Sequence, residues 1–342
     1  MSFTDILGQE KATAYLQTLV QTGRVPGALL FYGPAGVGKA KTALEFAKAL
    51  NCQDPQARQT GNACGVCASC KAISQHTHPD VVFADFLYQA RLEVKKDFSS
   101  SGYEEELEKE LAKQQHINIG TIRAVTAKSQ QKAVGSGWKV LIIDAAQSMQ
   151  GAAANALLKF IEEPPAKTVW ILITSKRTAM LRTILSRCQP LAFAPLSREN
   201  VEKILQNNQL ETDNPSLCAA YSAGSVAGAL KANTALTLLQ EAGLGENGCT
   251  PQGPAAAAAA ISRTLTAARQ EVQAVLDVLL MNVHAGWLQA TDEASQRRFV
   301  QALKQLENYK RSLGRNVSPA LILETALMSL DGLPLSLFNT EN

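Results

Sequence analysis

The first 195 residues contain short runs of apolar side chains that are continuous rather than alternating. The runs occupy residues 28–32, 81–84, 140–143 and 169–173, with a weaker fifth at 191–193. Continuous apolar runs are typical of strands that are covered on both faces, and helical patterns lie between them. The pattern predicts an α/β fold in which helices cover both faces of a mostly parallel five-stranded sheet.

Beyond residue 196 the strand pattern ends, and apolar residues recur at the three- and four-residue spacing of helices. A glycine-rich stretch at 243–253 is typical of a linker. The sequence therefore predicts three domains, which are an α/β core at 1–195, a small helical domain at 196–243 and a second all-α domain at 244–342.

Residues 86–116 interrupt the core with a stretch that is rich in Glu and Lys. We interpret this stretch as an inserted surface segment that is helical from Tyr103 to Gln115. Its charges are expected to form a solvated face rather than a binding site.

The composition excludes several classes of protein. Charged residues make up 18% and hydrophobic residues 46% of the 342 positions, which rules out disorder, collagen and a coiled coil for the whole chain. The net charge of +3 argues against a polycation that coats nucleic acid, but it leaves a local basic face open. The N-terminal residues do not resemble a secretory signal, and no run approaches 18 strongly apolar residues, so we expect a cytoplasmic protein without a membrane span.

Four of the seven cysteines are crowded into residues 52–70. These four are Cys52, Cys64, Cys67 and Cys70. Four thiolates suit a tetrahedral Zn²⁺ ion, and two-residue gaps permit the tight turns that bring sulfur atoms together. Because four protein ligands fill the coordination shell, the cluster predicts structural zinc rather than a catalytic metal. An iron–sulfur cluster is the minor alternative.

The remaining candidate ligands are scattered along the chain. Cys188, Cys218 and Cys249 are isolated from one another, and we interpret them as plain thiols. His76 and His78 lie near the cysteine cluster but would be surplus ligands for an ion that already has four.

A glycine-rich loop, Gly33-Pro34-Ala35-Gly36-Val37-Gly38-Lys39, follows the first predicted strand and precedes a helical pattern. In this setting a P-loop binds phosphate with backbone N–H groups and a helix N-terminus, while its lysine reaches the outer phosphate oxygens. The predicted phosphate-binding residues are Gly33, Gly36, Gly38 and Lys39.

Two positions depart from a hydrolytic P-loop site. Ala40 stands where the motif has a hydroxyl for Mg²⁺, and Thr42 lies about 200° farther round the helix. Asp144 follows the third predicted strand, where a Walker B aspartate holds Mg²⁺, but Ala145 replaces the carboxylate that activates water. Nucleotide binding therefore stays open, whereas efficient Mg²⁺-dependent hydrolysis is not expected. The alternative for Asp144 is a capping residue at the end of an ordinary buried strand.

Four motifs occur in a fixed order along the chain. They are residues 3–10 (FTDILGQE), the P-loop, residues 155–165 (NALLKFIEEPP) and Ser186-Arg187-Cys188. Together they resemble the AAA+ clamp-loader subunits of bacterial replication over residues 1–235, and weakly again at 316–321. The resemblance implies an AAA+ core with a zinc module, a helical lid at 196–243 and an oligomerising collar at 244–342.

Within this family, motor subunits carry a Thr after the P-loop lysine, an acidic pair at Walker B and a sensor-2 arginine. The corresponding positions here are Ala40, Ala145 and Ala227. Arg187 is retained, and its counterpart in the family projects into the nucleotide site of a neighbouring subunit. The resemblance therefore implies a non-hydrolysing stator that supplies an arginine finger. A surface salt bridge is the alternative role for Arg187.

The resemblance also implies partners. These would be the motor subunits and a delta subunit in a pentameric ring, with the sliding clamp and primed DNA reached through that complex. Ile6, Gly8 and Gln9 resemble the adenine-contact segment of the family. Two other functions stay open at this point, namely an active ATPase motor of the same fold and a zinc-dependent DNA-binding regulatory protein.

Overall fold

The computed structural model of the protein describes residues 2–94, 100–134, 137–241, 269–315, 317–330, 333 and 337. The chain forms two compact units, Met1–Pro195 and Leu196–Asn342. Some sequence predictions lie wholly or partly outside the described residues. They are the linker at 243–253 with Cys249, parts of the charged segment at 86–116 and of the all-α domain at 244–342, and Asn316 of the weak C-terminal motif.

The first unit is built on one parallel sheet. Its strands are β1 (Ala28–Tyr32), β2 (Val81–Ala84), β3 (Lys139–Ile143), β4 (Thr168–Thr174) and β5 (Gln189–Ala192). They pair in the order β2-β3-β4-β1-β5, and each recorded pair is parallel. The predicted fold class is confirmed. The first four strands match their apolar runs closely, whereas the edge strand β5 begins two residues before its predicted start.

Nine α-helices of the described residues surround this sheet. They are α1 (Glu10–Thr22), α2 (Lys39–Asn51), α3 (Gln56–Thr60), α4 (Ala68–Ser74), α5 (Phe86–Glu93), α6 (Ser100–Lys113), α7 (Ile119–Gln130), α8 (Gly151–Glu162) and α9 (Arg182–Leu185). Short polar side chains start two of them, since Asp85 accepts the N–H of Tyr88 and Asn118 accepts that of Thr121.

One buried cluster of the core lies where α7, α8 and α9 cover one face of the sheet. Every residue of β3 and β4 is buried, which explains their continuous apolar runs. Trp170 of β4 is fully buried in this layer, with Leu157 and Ile161 of α8. Helix α8 ends at Glu162 because Pro164 and Pro165 follow and cannot continue the helical hydrogen bonds.

The charged segment at 86–116 contains α5 and α6. Helix α6 begins three residues before the predicted start at Tyr103 and ends two residues before the predicted end at Gln115. Lys109 pairs with Glu105 at 2.7 Å and Lys113 with Glu110 at 2.6 Å, and three of these four side chains are more than half exposed. Within the described part of the segment, the charges therefore pair along one solvated helix, as expected.

Helices are the only regular secondary structure in the described residues of the second unit. Its helices are α10 (Arg198–Asn207), α11 (Pro215–Ala220), α12 (Val226–Glu241), α13 (Arg269–Gln289), α14 (Glu293–Ser312) and α15 (Pro319–Met328). A buried network joins its parts: Tyr221 Oη donates to the carbonyl oxygen of Leu337 at 3.1 Å and accepts from Asn282 Nδ2 at 3.0 Å. The separation of this region into a lid and a collar stays a prediction.

Helix α15 starts with Ser318 as its N-cap residue and a proline in the first turn, at the position of the weak C-terminal motif. Among the residues described, no helix combines the length and apolar character that crossing a membrane requires.

Candidate functional site

The glycine-rich loop connects the end of β1 to the start of α2. Gly36 and Gly38 have φ angles of 75° and 94°, which L side chains rarely adopt. Gly33 has a φ angle of 150° and a second requirement as well, because a Cβ atom at this position would lie 2.1 Å from the carbonyl oxygen of Phe193. The glycines thus shape the loop, and Gly33 also allows the segment after β5 to approach it.

Gln9 connects the loop to that same segment. Its Nε2 atom donates to the carbonyl oxygens of Ala194 at 2.8 Å and Val37 at 3.3 Å, and its Oε1 atom accepts the N–H of Ala194 at 3.2 Å. The residue is only 4% exposed. The sequence associated Gln9 with an adenine-contact segment, but its amide is occupied by backbone groups of the chain itself.

Lys39 is folded back on its own loop. Its ammonium group donates to the carbonyl oxygens of Gly33, at 2.8 Å, and of Pro34. The side chain is buried, and burial lowers the pKa of Lys39 although the nearby Asp144 carboxylate opposes that change. The lysine ammonium group therefore binds the carbonyl oxygens of its own loop.

Asp144 lies at the carboxyl end of β3, near Lys39. Its Oδ1 atom accepts the N–H of Ala145 at 2.7 Å. Burial raises the pKa of Asp144; the Ala145 hydrogen bond opposes this, the nearby Asp85 adds to it and Lys39 opposes it. Because β2 and β3 are parallel neighbours, the residues that follow them meet at one edge of the sheet. In the sequence, Asp85 directly follows the second apolar run, just as Asp144 directly follows the third. This correspondence would have identified Asp85.

The side chains next to Ala40 and Ala145 do not replace the hydroxyl and the carboxylate that a hydrolytic site requires. Ala40 and Ala145 carry neither a hydroxyl nor a carboxylate. The hydroxyl of Thr42 donates to the carbonyl oxygen of Gly38 at 2.9 Å, and Thr42 is fully buried. Thr42 is therefore committed to its own helix, in agreement with its predicted position on the far side of α2.

Arg187 lies just after α9 and is bound by three acceptors. Its Nε atom donates to Oε1 of Glu162, and its Nη1 atom donates to the carbonyl oxygen of Thr183 at 3.1 Å and to Oγ of Ser186 at 3.2 Å. The side chains of Arg187 and Glu162 are 38% and 44% exposed. The NALLKFIEEPP block and the Ser-Arg-Cys motif therefore meet through a surface ion pair. A surface salt bridge is the alternative role that the sequence left open for Arg187, but its partner, Glu162, was not predicted.

The four clustered cysteines converge. All four Sγ atoms lie within 4.8 Å of one another. The Sγ atom of Cys52 is 4.0 Å from that of Cys67 and 3.8 Å from that of Cys70. Zinc–sulfur bonds of about 2.3 Å in a tetrahedron place sulfur atoms about 3.8 Å apart. The residues therefore fit a tetrahedral Zn²⁺ ion.

The backbone around the cluster supports thiolate ligands. The N–H groups of Cys64, Cys67 and Cys70 each donate to the sulfur of a preceding cysteine, at 3.3–3.4 Å. Such bonds stabilise a negatively charged sulfur. The pKa of Cys67 is lowered to about 6: partial burial raises it, but the N–H groups of Gln53 and Cys70 and the neighbouring thiols lower it more. Burial instead raises the pKa values of Cys52 and Cys70, so of these three only Cys67 is predisposed to the thiolate form by the protein alone.

The other cysteines and histidines lie apart from this cluster. Burial raises the pKa of Cys188 to about 12 and that of Cys218 to about 11. His78 Nδ1 accepts the N–H of Asp80 at 3.2 Å, and the His76 ring packs against Phe83. Across the described residues, only Cys52, Cys64, Cys67 and Cys70 form a group of three or more potential metal ligands.

Helix α2 connects the glycine-rich loop to the cysteine cluster. It begins at Lys39 and its C-cap residue is Cys52. The residue before that cap, Asn51, accepts the N–H of Trp138 on its Oδ1 atom at 2.7 Å. Gly137 makes room for this contact, because a Cβ atom there would lie 2.2 Å from the same oxygen. The far end of α2 is thereby joined to the start of β3.

Comparison with known proteins gives a consistent group of relatives. The family described as DNA polymerase III, delta subunit, matches residues 8–197. The chain is 32% identical over 244 residues to the DNA polymerase III subunit tau of Bacillus subtilis, covering 70% of this chain and 37% of that protein. It is 35% identical over 188 residues to the DNA polymerase III subunit delta' of Pseudomonas aeruginosa, covering 54% of this chain and 49% of that protein.

The matches thus span between about a third and a half of the length of these curated relatives. Among solved structures, a DNA polymerase III gamma subunit-related protein of Thermotoga maritima aligns with a TM-score of 0.45 at 16% identity. That alignment covers 92% of this chain and 97% of that one.

Proposed function

Because the chain belongs to the family of DNA polymerase III delta subunits, we propose that it is a stator of the clamp loader, resembling the delta-prime subunit. In this role it does not hydrolyse ATP. It presents Arg187 to the ATP site of a neighbouring motor subunit and so helps load the sliding clamp onto primed DNA.

One observation carries the proposal: Arg187 cannot serve the glycine-rich loop of its own chain. Strands β1 and β5 are parallel, with Leu29 opposite Gln189 and Tyr32 opposite Ala192. The loop follows Tyr32, at one end of this pair, whereas Arg187 precedes Gln189, at the other end. A strand pair of four residues spans about 13 Å. An arginine finger at this position therefore has to act on a phosphate bound to another chain.

The chain's own loop supports the same assignment. Hydrolysis requires a hydroxyl for Mg²⁺ and a group that activates water, and Ala40 and Ala145 supply neither. Ala227, at the start of α12, stands where the family's motor subunits carry the sensor-2 arginine. Gly33, Gly36, Gly38, Lys39 and Asp144 would form the residual phosphate site, in which Lys39 has to leave its loop carbonyl oxygens before a nucleotide binds.

In the neighbouring site, the guanidinium of Arg187 would stabilise the negative charge that develops on the transferring phosphoryl group. Arginine fingers of this kind contribute about 10³–10⁵-fold to the rate of hydrolysis. The proposed partners are the motor subunits and the delta subunit of a pentameric ring. Cys52, Cys64, Cys67 and Cys70 would hold a structural Zn²⁺ ion, which contributes folding energy and takes no part in hydrolysis.

The test is steady-state ATP hydrolysis by the reconstituted loader, with the clamp and primed DNA present. Arg187→Ala should lower the rate at least tenfold while gel filtration shows an intact assembly. Arg182→Ala is the matched control, because Arg182 lies in the same exposed segment on α9. A rate unchanged by Arg187→Ala would contradict the stator's catalytic contribution. Hydrolysis by the isolated chain would support an active motor instead.

A further inference from the structure

We propose that Glu162 is the positioning residue of Arg187: it holds the guanidinium through Nε and leaves the Nη2 group for the phosphate of the neighbouring chain. This inference rests on the proposed function of Arg187 as an arginine finger. It assigns a role to the NALLKFIEEPP block, whose acidic end lies outside the chain's own phosphate site.

The hydrogen bonds divide the five N–H donors of the guanidinium unequally. Glu162 accepts the Nε hydrogen, while the Thr183 carbonyl oxygen and Ser186 Oγ accept from Nη1. Three donors are thereby used. Within the part of the chain that the structure describes, Nη2 has no recorded partner. Its two donors suit the oxygens of a phosphate, which arginine binds in a fixed planar geometry.

The position of Glu162 is not explained by the helix that carries it. Glu162 is the last residue of α8, and Glu163 is the C-cap. The C-terminus of a helix carries a partial negative charge, so a carboxylate there is electrostatically unfavourable. The ion pair with Arg187 offsets this repulsion. The Glu162 carboxylate is therefore stabilised by Arg187 and destabilised by the partial negative charge at the end of its own helix.

Positioning would increase the rate because an exposed arginine otherwise samples many rotamers. Fixing such a side chain at the moment of reaction costs conformational entropy, and a side chain that is already oriented avoids much of that cost. The carboxylate also has an opposing effect, since its negative charge weakens the field of the guanidinium at a nearby phosphate. Glutamine separates these effects, because it keeps the Oε1 acceptor and removes the charge.

The experiment measures kcat and KM for ATP hydrolysis by the reconstituted loader with clamp and primed DNA. Glu162→Ala should lower kcat about three- to tenfold, with KM for ATP changed less than twofold, whereas Glu162→Gln should stay within twofold of the wild type. Glu163→Ala is the matched control, because it removes the adjacent exposed carboxylate, and it should leave both constants unchanged. The double variant R187A/E162A should be no slower than R187A.

The outcomes separate the two proposals. If Arg187→Ala leaves the rate unchanged, the proposed function fails, whatever Glu162 does. If Arg187→Ala slows the loader but Glu162→Ala does not, or if the two effects multiply in the double variant, Glu162 is not a positioning residue and the finger stands. A rate increase in Glu162→Gln would show that the carboxylate mainly weakens the arginine, and this result would also overturn the inference.

A second measurement covers the case in which Glu162→Ala fails to assemble. In the free chain, the Nε–H resonance of Arg187, identified by its loss in Arg187→Lys, should exchange slowly with water in the wild type and in Glu162→Gln. It should exchange rapidly in Glu162→Ala and remain slow in Glu163→Ala. Rapid exchange in the wild type would overturn the proposed positioning.

Discussion

The ammonium group of Lys39 donates a hydrogen bond to the carbonyl oxygen of Gly33, 2.8 Å away and six residues earlier in the same loop. A second bond to the carbonyl oxygen of Pro34 completes the closure. In a P-loop this lysine binds phosphate oxygens, but here it stabilises the loop itself. A phosphate that binds here has to compete with both carbonyl oxygens for the same charge.

Lys39→Met should therefore destabilise the free chain even without nucleotide. Hydrogen bonds that involve a charged group contribute about 1.5–3 kcal/mol, so we expect the free energy of unfolding to fall by about 1–3 kcal/mol. Urea titration measures it. Lys41→Met, two positions farther along α2, is the control and should change stability by less than about 0.5 kcal/mol. Equal stability of Lys39→Met and the wild type would contradict a structural role.

Asp144 predicts an unusual dependence of stability on pH. Its pKa is raised by burial, so the folded chain holds the proton more tightly than the unfolded chain does. The resulting stabilisation is complete below the ordinary pKa of 3.8 and is lost as the pH rises through the raised value. Asp144→Asn should therefore be more resistant to urea than the wild type at pH 7, because it lacks the buried charge.

The advantage of Asp144→Asn should shrink as the pH is lowered, because the wild-type carboxyl then takes up a proton and loses its buried charge. Urea midpoints of both proteins at several values between pH 4 and pH 7 test this. The asparagine keeps an oxygen that can accept the N–H of Ala145, so the comparison isolates the charge. A difference that does not vary with pH, or a more stable wild type at pH 7, would speak against the argument.

The cysteine cluster should bind one Zn²⁺ ion per chain. Cys70→Ser removes the most buried of the four ligands and should abolish nearly all zinc binding, measured by elemental analysis of the purified chain. It should also lower the thermal unfolding midpoint, because structural zinc contributes directly to folding. His78→Ala should keep its zinc, since His78 lies outside the cluster. Full zinc content in Cys70→Ser would refute this ligand set.

Tyr221→Phe tests the buried network of the second unit. The substitution deletes the hydroxyl that Asn282 donates to and that itself donates to the carbonyl oxygen of Leu337. Each hydrogen bond contributes about 0.5–1.5 kcal/mol, so the loss of both should lower the free energy of unfolding in urea by about 1–3 kcal/mol. Tyr309→Phe, on the half-buried part of α14, should be nearly neutral. Equal stabilities of the two variants would show that the network contributes nothing.

Local sequence patterns were sufficient to predict the sheet and the placement of the candidate sites. Strands β1 to β4 follow continuous apolar runs because both of their faces are covered. The prediction for β5 was displaced because this edge strand contains Pro190 and is largely exposed. The four cysteines were recognisable because three of them lie within seven residues, where short turns bring them together.

The contacts that distinguish this chain could not be obtained in the same way. Gln9 and Ala194 are 185 residues apart in sequence, and Glu162 and Arg187 are 25 apart. Their pairing depends on strand order and on side-chain directions that no periodicity encodes. The sequence motif assigns Gly33 to phosphate binding alone. The structure shows that the backbone of Phe193, which directly follows β5, also leaves no room for a Cβ atom at this position.

The opposite placement of the loop and Arg187 along the β1–β5 pair gives each chain two unlike sides. If such chains form the proposed ring, unlike sides have to meet head to tail, and the ring then has a direction. A chain that can donate an arginine but cannot use one forms a functional boundary in such a ring: catalysis is possible on one side of it and absent on the other. If the stator role holds, the ring therefore has fewer working sites than subunit contacts, and this chain marks where the series of sites ends.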